Sequence, residues 1–383
     1  MRVVVIGVGV MGLSAAAELS TRGHEVIAID RFDVGHRFAS SSGATRVFRL
    51  AHADRDFVRL AIWNHELWKR LERDIGRPLR LTRGLLWRGG LAEDVAHALF
   101  AEGVEHEQVD QARQAQLFPE LRWAGEGAVV WQPEAGAVRA DDSLRACLTR
   151  LRRSGGALVG SCTVDSVEPL PSGGVEVVAD VSGTRTTWVA DRVVVAAGPW
   201  AGPLLATMGI EVALTTSLAQ VTYVKGGDDI PWSSRPCLVD VPPDGSSFGF
   251  YAMPTPGIGY KVGLDDPVRP FSESDFEREP DSLREEEAAQ RVRRELPAFD
   301  ATPVRSELCA WTESVDDRFV IDRVGDIVLA CGDSGQGFKF LPMFGEVLAN
   351  LVEGKAHPDA VAADVASLGL ARFAGEEVAN VDR

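Results

Sequence analysis

An uninterrupted β-branched run, Arg2–Ile6, opens the chain and predicts a strand buried on both faces. Gly7–Gly12 follows, and Leu13–Arg22 carries the small, Ala-rich pattern of a helix that must pack closely. Gly23 stands where that helix needs a left-handed residue to stop. Glu25–Asp30 reads as a second strand, which completes one βαβ unit within about thirty residues. Farther on, Phe57–Ile75 has helical periodicity, with Leu60, Trp63, Leu67 and Leu71 on one side. Ser143–Ser154 predicts another amphipathic helix, stopped by Gly155 and Gly156. Ala157–Val159 then predicts a strand, Val175–Val178 with Thr186–Val189 a hairpin, and Arg192–Ala197 a further buried strand.

Between about Ala213 and Arg323 the pattern changes to alternating strands, a turn at Pro243–Ser247 and an acidic helix at Ser282–Leu296, whose charge reads as a solvated face. Ile327–Ala330 returns to the buried-strand pattern, followed by a Gly-rich turn and a helix over Phe344–Val352. Nucleotide-type segments therefore lie at both ends and in the middle, with a mixed-sheet domain inserted between them in two pieces.

The length, 383 residues, suits two domains. A formal net charge of −16 opposes binding to phosphate backbones, and the Arg-rich Arg145–Arg153 reads as a solvated helix face, so no nucleic-acid partner is expected. Met1–Ile6 runs straight into a strand, without the regions of a signal peptide. Val193–Ile210 is apolar, but Gly198, Pro199, Gly202 and Pro203 make it a strand, turn and short helix rather than a membrane span. Five cysteines (147, 162, 237, 309 and 331) without a CxxC pair argue against zinc or a disulfide framework and for a cytoplasmic location.

Gly7, Gly9 and Gly12 form GxGxxG directly after a strand and before a helix. The first permits a tight turn, the second lets backbone approach a pyrophosphate, and the third lets helix and strand pack closely. The helix N-terminus offers amides and partial positive charge to phosphates. Asp30, ending the second strand, can accept hydrogen bonds from ribose hydroxyls. This fingerprint alone does not separate FAD from NAD.

Further motifs follow in order: Ile29-Asp30-Arg31-Phe32-Asp33, Ser41-Ser42-Gly43-Ala44-Thr45-Arg46-Val47-Phe48-Arg49, Glu134–Val138, Ala197-Gly198-Pro199-Trp200 and Gly259-Tyr260-Lys261-Val262-Gly263. Last come Cys309-Ala310-Trp311-Thr312 with Asp316–Asp322, and Ser334-Gly335-Gln336-Gly337-Phe338-Lys339-Phe340. Over nearly its whole length the chain thus resembles the monomeric sarcosine oxidase group of flavin amine oxidases. That group includes N-methyltryptophan and pipecolate oxidases, within the D-amino-acid-oxidase-like superfamily.

The resemblance implies an α/β fold: a Rossmann-like FAD-binding domain (1–84, 140–215 and 322–383) with an inserted mixed or antiparallel-sheet α+β substrate domain (85–139 and 216–321). It implies FAD as cofactor, O2 as electron acceptor and a monomer. Cys309 matches the cysteine that carries the flavin as a thioether, formed when a thiolate attacks the electron-poor methyl of the ring. Lys261 matches the oxygen-activating lysine, a fixed cation beside developing superoxide charge. Arg49 and Lys339 match the pair that holds the substrate carboxylate, and Tyr251 a tyrosine facing the substrate. Arg46 is expected against the flavin or its phosphates, and Val164 against the adenine. Gly332, Gly335 and Gly337 are expected to admit amides to the N1–C2=O edge of the flavin. Val10, Met11, Arg31, Ser41, Ser42, Thr45, Gly198, Trp200, Gln336 and Phe338 complete the expected cofactor contacts.

Three residues depart from sarcosine oxidase. Asp265 and Gln336 stand where it has histidines, and Asp333 where it has an aromatic residue. A different amine is therefore expected, with an extra polar or basic group that Asp265 pairs. The expected reaction is oxidation of a secondary or N-substituted small α-amino acid to an imine, with hydrogen peroxide as by-product. Alternatives are a cyclic amino or imino acid (pipecolate or a piperideine carboxylate) or a glycated amino acid. From other classes, an NAD(P)-dependent dehydrogenase and a non-catalytic flavoprotein remain.

Overall fold

The computed structural model describes residues 1–373 except 124, 126, 243–248 and 275, so the turn expected at Pro243–Ser247 lies outside the described residues. Among the described residues, six strands form one sheet in the order Val320–Val324, Ile327–Cys331, Arg192–Val195, Arg2–Ile6, Glu25–Ile29 and Ala157–Val159. All neighbours are parallel except the first pair. Helices Val10–Thr21, Ala140–Arg153 and Leu341–Glu353 pack together on one face. The opposite face is covered by the antiparallel sheet Cys162–Pro169, Val175–Val181 and Thr184–Ala190. Double coverage is why these strands are runs of Val and Ile without polar alternation; Val3, Val4 and Val5 are fully buried.

The elements agree with the sequence pattern, but the helix expected from Phe57 starts at Arg55 and three others start three residues early. The first begins at Val10, not Leu13, with Gly9 as its N-cap and Gly12 inside its first turn. Periodicity cannot detect a helical turn made of glycine and its neighbours. The second begins at Ala140, with Asp141 and Asp142 in the first turn, where carboxylates favour the helix dipole. The third begins at Leu341, with Pro342 in the first turn, a position where its missing N–H costs nothing.

A nine-stranded mixed sheet draws on residues 85–132 and 214–314. Its spine is Leu214–Val224, paired antiparallel along its length with Pro303–Ser314 and, at its C-terminal end, with Gly259–Leu264. The acidic helix Ser282–Glu295 packs on this sheet by Ala288, Ala289 and Val292 and is capped by the Asp281 side chain. A small sheet of Thr45–Phe48, Gly136–Arg139 and Arg80–Thr82 packs between strand Phe250–Thr255 of the nine-stranded sheet and helix Ala140–Arg153. Val193–Ile210 comprises the end of a strand, a short turn of 3-10 helix and the helix Ala201–Ala206. Among the described residues no helix is long and apolar enough to cross a membrane.

Candidate active site

A cavity of about 330 Å³ opens where the first strand meets its helix. Gly7 (φ +92°) makes the turn, and a Cβ there would come within 2.3 Å of the Ala196 carbonyl oxygen. A Cβ at Gly12 would lie 1.9 Å from Gly7 O, so neither position admits a side chain. Gly9, Val10 and Met11 bring the helix N-terminus to the cavity, and Val10 N–H donates to Ser41 Oγ at 2.8 Å. Asp30 accepts from Val8 N–H (2.7 Å) and Phe32 N–H (2.8 Å). Burial pushes its carboxyl up, opposed by those two amides.

Arg31, Val164, Gly198 and Trp200 line the same cavity, as expected, and Gly332 and Asp333 close its far end. Thr312 Oγ1, beside them, is buried without a partner. Helix amides for a pyrophosphate, a carboxylate for a ribose, an apolar slot for a base and an orphaned hydroxyl together fit an adenine dinucleotide.

The other expected cofactor residues lie off this wall. Ser42 Oγ donates to Ala39 O at 2.9 Å, and Thr45 Oγ1 meets Thr255 Oγ1 at 2.6 Å. Thr45 contributes its carbonyl instead: it accepts from both Arg46 Nη1 and Lys261 Nζ, each at 2.9 Å. Arg46 also donates to the Ser40 and Ser42 carbonyls and stands over the Phe338 ring at 5.8 Å. Lys261 is 2% exposed. Its burial, then Arg46, push its pKa down to about 7, while Cys309, Glu307 and Asp141 pull it back up.

The large sheet brings Tyr251 and Cys309 to this place. Tyr251 pairs with Gly263, and a Cβ at 263 would lie 2.2 Å from the tyrosine Cζ, so the ring lies across the glycine. The Tyr251 hydroxyl is pushed up by burial and then by Cys309. Cys309, opposite Ala219, is buried.

Arg49 and Lys339 form a second group. Lys339 Nζ donates to Gln336 O at 2.8 Å; Arg49 Nη1 donates to Ala51 O, and its guanidinium lies 4.6 Å from the Trp87 ring centre. Neither forms an ion pair with a described residue. Burial lowers both pKa values, Arg49 to about 9 and Lys339 well below its ordinary value; the charge of Arg49 lowers Lys339 further, and Asp333 opposes this. Asp265, exposed, is the carboxylate whose charge supports Arg49. Gly335 stands over the Trp311 ring, and Gly337 against Asp333.

The sequence reading missed three residues here. His52 is buried between Phe57 and Phe340, with Nε2 unpartnered, and is kept neutral by burial and by Arg49 and Lys339. Its position three residues after Arg49 was the available signal. Tyr223 and Glu307 are joined by a 3.0 Å hydrogen bond from the phenol to the carboxylate. Glu307 precedes Cys309 by two residues on one strand, a spacing that puts both on the same face.

Comparison with known proteins relates nearly the whole chain to amino acid oxidases. Mouse peroxisomal sarcosine oxidase is 29% identical over 368 residues, covering 91% of each chain. Monomeric sarcosine oxidase of Streptomyces avermitilis is 27% identical, covering 93% of this chain and 95% of its own. The solved structure of NikD, an amino acid oxidase essential for nikkomycin biosynthesis, superposes with a TM-score of 0.81 at 25% identity, covering 94% of this chain and 96% of that one. The sequence profile of the FAD dependent oxidoreductase family, DAO, matches residues 2–351, and the chain belongs to that family of FAD-dependent enzymes.

Proposed function

We propose that this enzyme oxidises the C–N bond of a secondary or N-substituted small α-amino acid, giving an imine and hydrogen peroxide. The observation that carries the reading is the Arg49–Lys339 pair. Lys339, buried, and Arg49, half-buried, hydrogen-bond only to carbonyl oxygens, and the charge of Arg49 repels the Lys339 ammonium. An anion between them would relieve the repulsion and accept their hydrogen bonds. A substrate carboxylate is such an anion, and the names of the relatives make an amino acid its natural bearer.

When bound, FAD supplies the hydride acceptor and returns the electrons to O2. The chain's own residues do the rest. Arg49 and Lys339 fix the carboxylate and so orient the α-carbon, an alignment that can contribute several kcal/mol to lowering the barrier. Tyr251 flanks the substrate and, with its proton held by burial, acts as a neutral donor. Lys261 holds a positive charge where oxygen is reduced. Cys309 supplies the thiol for a covalent link. Asp265, at the exposed mouth, pairs an additional basic group of the substrate. On this reading residues 1–84, 140–215 and 322–383 serve the cofactor, while 85–139 and 216–321 serve the substrate, in a cytoplasmic monomer. The separate six-stranded and nine-stranded sheets support that division, while the small sheet of Thr45–Phe48, Gly136–Arg139 and Arg80–Thr82 bridges it.

The test is an anaerobic visible spectrum during addition of sarcosine, pipecolate, a piperideine carboxylate and a glycated glycine in turn. Bleaching of the flavin band by one of them, with peroxide released on admitting air, is the expected result. A flavin that none of them reduces overturns the reading. Acid precipitation tests the link: flavin should stay with the wild-type pellet and leave the Cys309→Ser pellet.

A further inference from the structure

Arg46 and Lys261 share one acceptor, the Thr45 carbonyl, at 2.9 Å each. Two cations on one oxygen repel, and in a buried setting water screens them little. Neither forms an ion pair with a described residue. A cation kept at Lys261 therefore needs negative charge nearby.

The carboxylate best placed to supply it is Glu307. The Tyr223 hydroxyl donates to Glu307 Oε2 at 3.0 Å. Tyr223 is fully buried and stands directly opposite Lys261 in the ladder between their strands, with Lys261 Nζ 5.6 Å from its ring centre. The tyrosine thus spans the distance between the ammonium and the carboxylate. Gly43 completes the arrangement: a Cβ there would lie 3.0 Å from Arg46 Nη1 and 3.2 Å from Glu307 Oε2. The bare backbone at 43 is what lets guanidinium and carboxylate approach. Arg305 pairs with the other Glu307 oxygen, at the exposed edge. The remaining charged or titratable groups that act on Lys261 are Cys309, on the strand of Glu307, and Asp141, in the first turn of helix Ala140–Arg153.

Resting on the oxygen-side role of Lys261, we propose that Glu307 is a positioning residue for that chemistry. Its carboxylate, fixed by the Tyr223 hydroxyl, is the counter-charge that lets Arg46 and Lys261 stay cationic side by side.

The chain has five lysines, at 69, 225, 261, 339 and 355, so Lys261 can be observed directly. Holoenzyme labelled with [13Cε]lysine is titrated by NMR, the Lys261 signal being the one absent from Lys261→Met. In Glu307→Gln its midpoint should fall by about one pH unit or more. Tyr223→Phe should move it the same way by less, and Glu307→Asp, which keeps the charge, should restore it. In parallel, reoxidation of the reduced enzyme by O2 at pH 8 should slow about tenfold in Glu307→Gln, one unit of midpoint being one decade of protonation. An unchanged midpoint in Glu307→Gln overturns the proposal, and should that variant not fold, an unmoved midpoint in Tyr223→Phe does so. Lys261→Met separates the underlying reading: undiminished reoxidation there removes the role of Lys261, whatever the NMR midpoints report about the counter-charge.

Discussion

Two buried charge clusters in this chain are built in opposite ways. In the large sheet, Arg88 Nη2 and Arg291 Nη2 each meet Asp240 Oδ2 at 2.9 Å, and both arginines also contact Glu295. Two cations and two carboxylates tie strands Leu85–Gly89 and Cys237–Val241 to helix Ser282–Glu295. Lys339, buried, and Arg49, half-buried, hydrogen-bond only to carbonyls, and although Asp333 and Asp265 act on them from a distance, neither forms an ion pair with a described residue. The matched cluster is complete without a ligand and serves the fold; the unmatched one is complete only with an anion.

Arg49→Met should break the contrast from the functional side. It should lower kcat/KM about 1000-fold, the usual scale for removing one partner of a buried charged pair. Its unfolding midpoint should hold or rise, because a repulsion is relieved. Retained kcat/KM, or a collapse in stability, would put Arg49 in the same class as Arg88. Arg88→Met should do the reverse. Urea unfolding should report a loss of about 3–5 kcal/mol, from the carboxylates left uncompensated, while kcat of the folded fraction stays near wild type.

Asp265→Asn probes the rim of the unmatched cluster. It should raise KM about tenfold for a substrate carrying a second basic group, in line with one partly exposed charge pair. Equal KM values in the two proteins would leave Asp265 as solvent-facing charge.

The smallest effect concerns Asp333, whose pKa burial pushes up to about 6, against the pull of the Thr312 amide and of Arg46. The folded chain keeps a proton that the unfolded chain releases at lower pH. That linkage favours folding below the ordinary aspartate range and is lost as pH rises through about 6. Asp333→Asn should therefore match the wild-type Tm near pH 4 and exceed it by a few degrees near pH 7. A gain of equal size at both values would assign the effect to packing instead.

Local patterns carried most of the fold. Unbroken Val and Ile runs read as doubly covered strands because nothing polar on either face could be tolerated, and Gly7 and Gly12 sit where no Cβ fits. Residues tied to those patterns, such as Gly9 and Asp30, came to the dinucleotide cavity. Others were legible only through family resemblance. Nothing near Arg49 in the chain distinguishes it from a surface cation, whereas the apolar setting Gly337–Phe340 argues against an exposed Lys339. His52 and Glu307 carried no motif at all, and Thr45 acts through a carbonyl that every residue has.

By itself, then, the sequence determined the βαβ unit, the alternation of nucleotide-type and inserted segments, and a family whose cofactor is FAD. The first two follow from short-range sterics and from hydrophobic periodicity, which are local; the family follows from resemblance of the ordered motifs, since the glycine fingerprint alone does not separate FAD from NAD. Tertiary structure alone decided which charges are matched. The charge of Arg49 acts on Lys339, and Lys261 shares the Thr45 carbonyl with Arg46 and stands over Tyr223, which binds Glu307, across separations of tens to hundreds of residues. Whether a charge is paired, crowded or left waiting depends on distance and on exclusion of water, and both arise only when distant strands are brought into register.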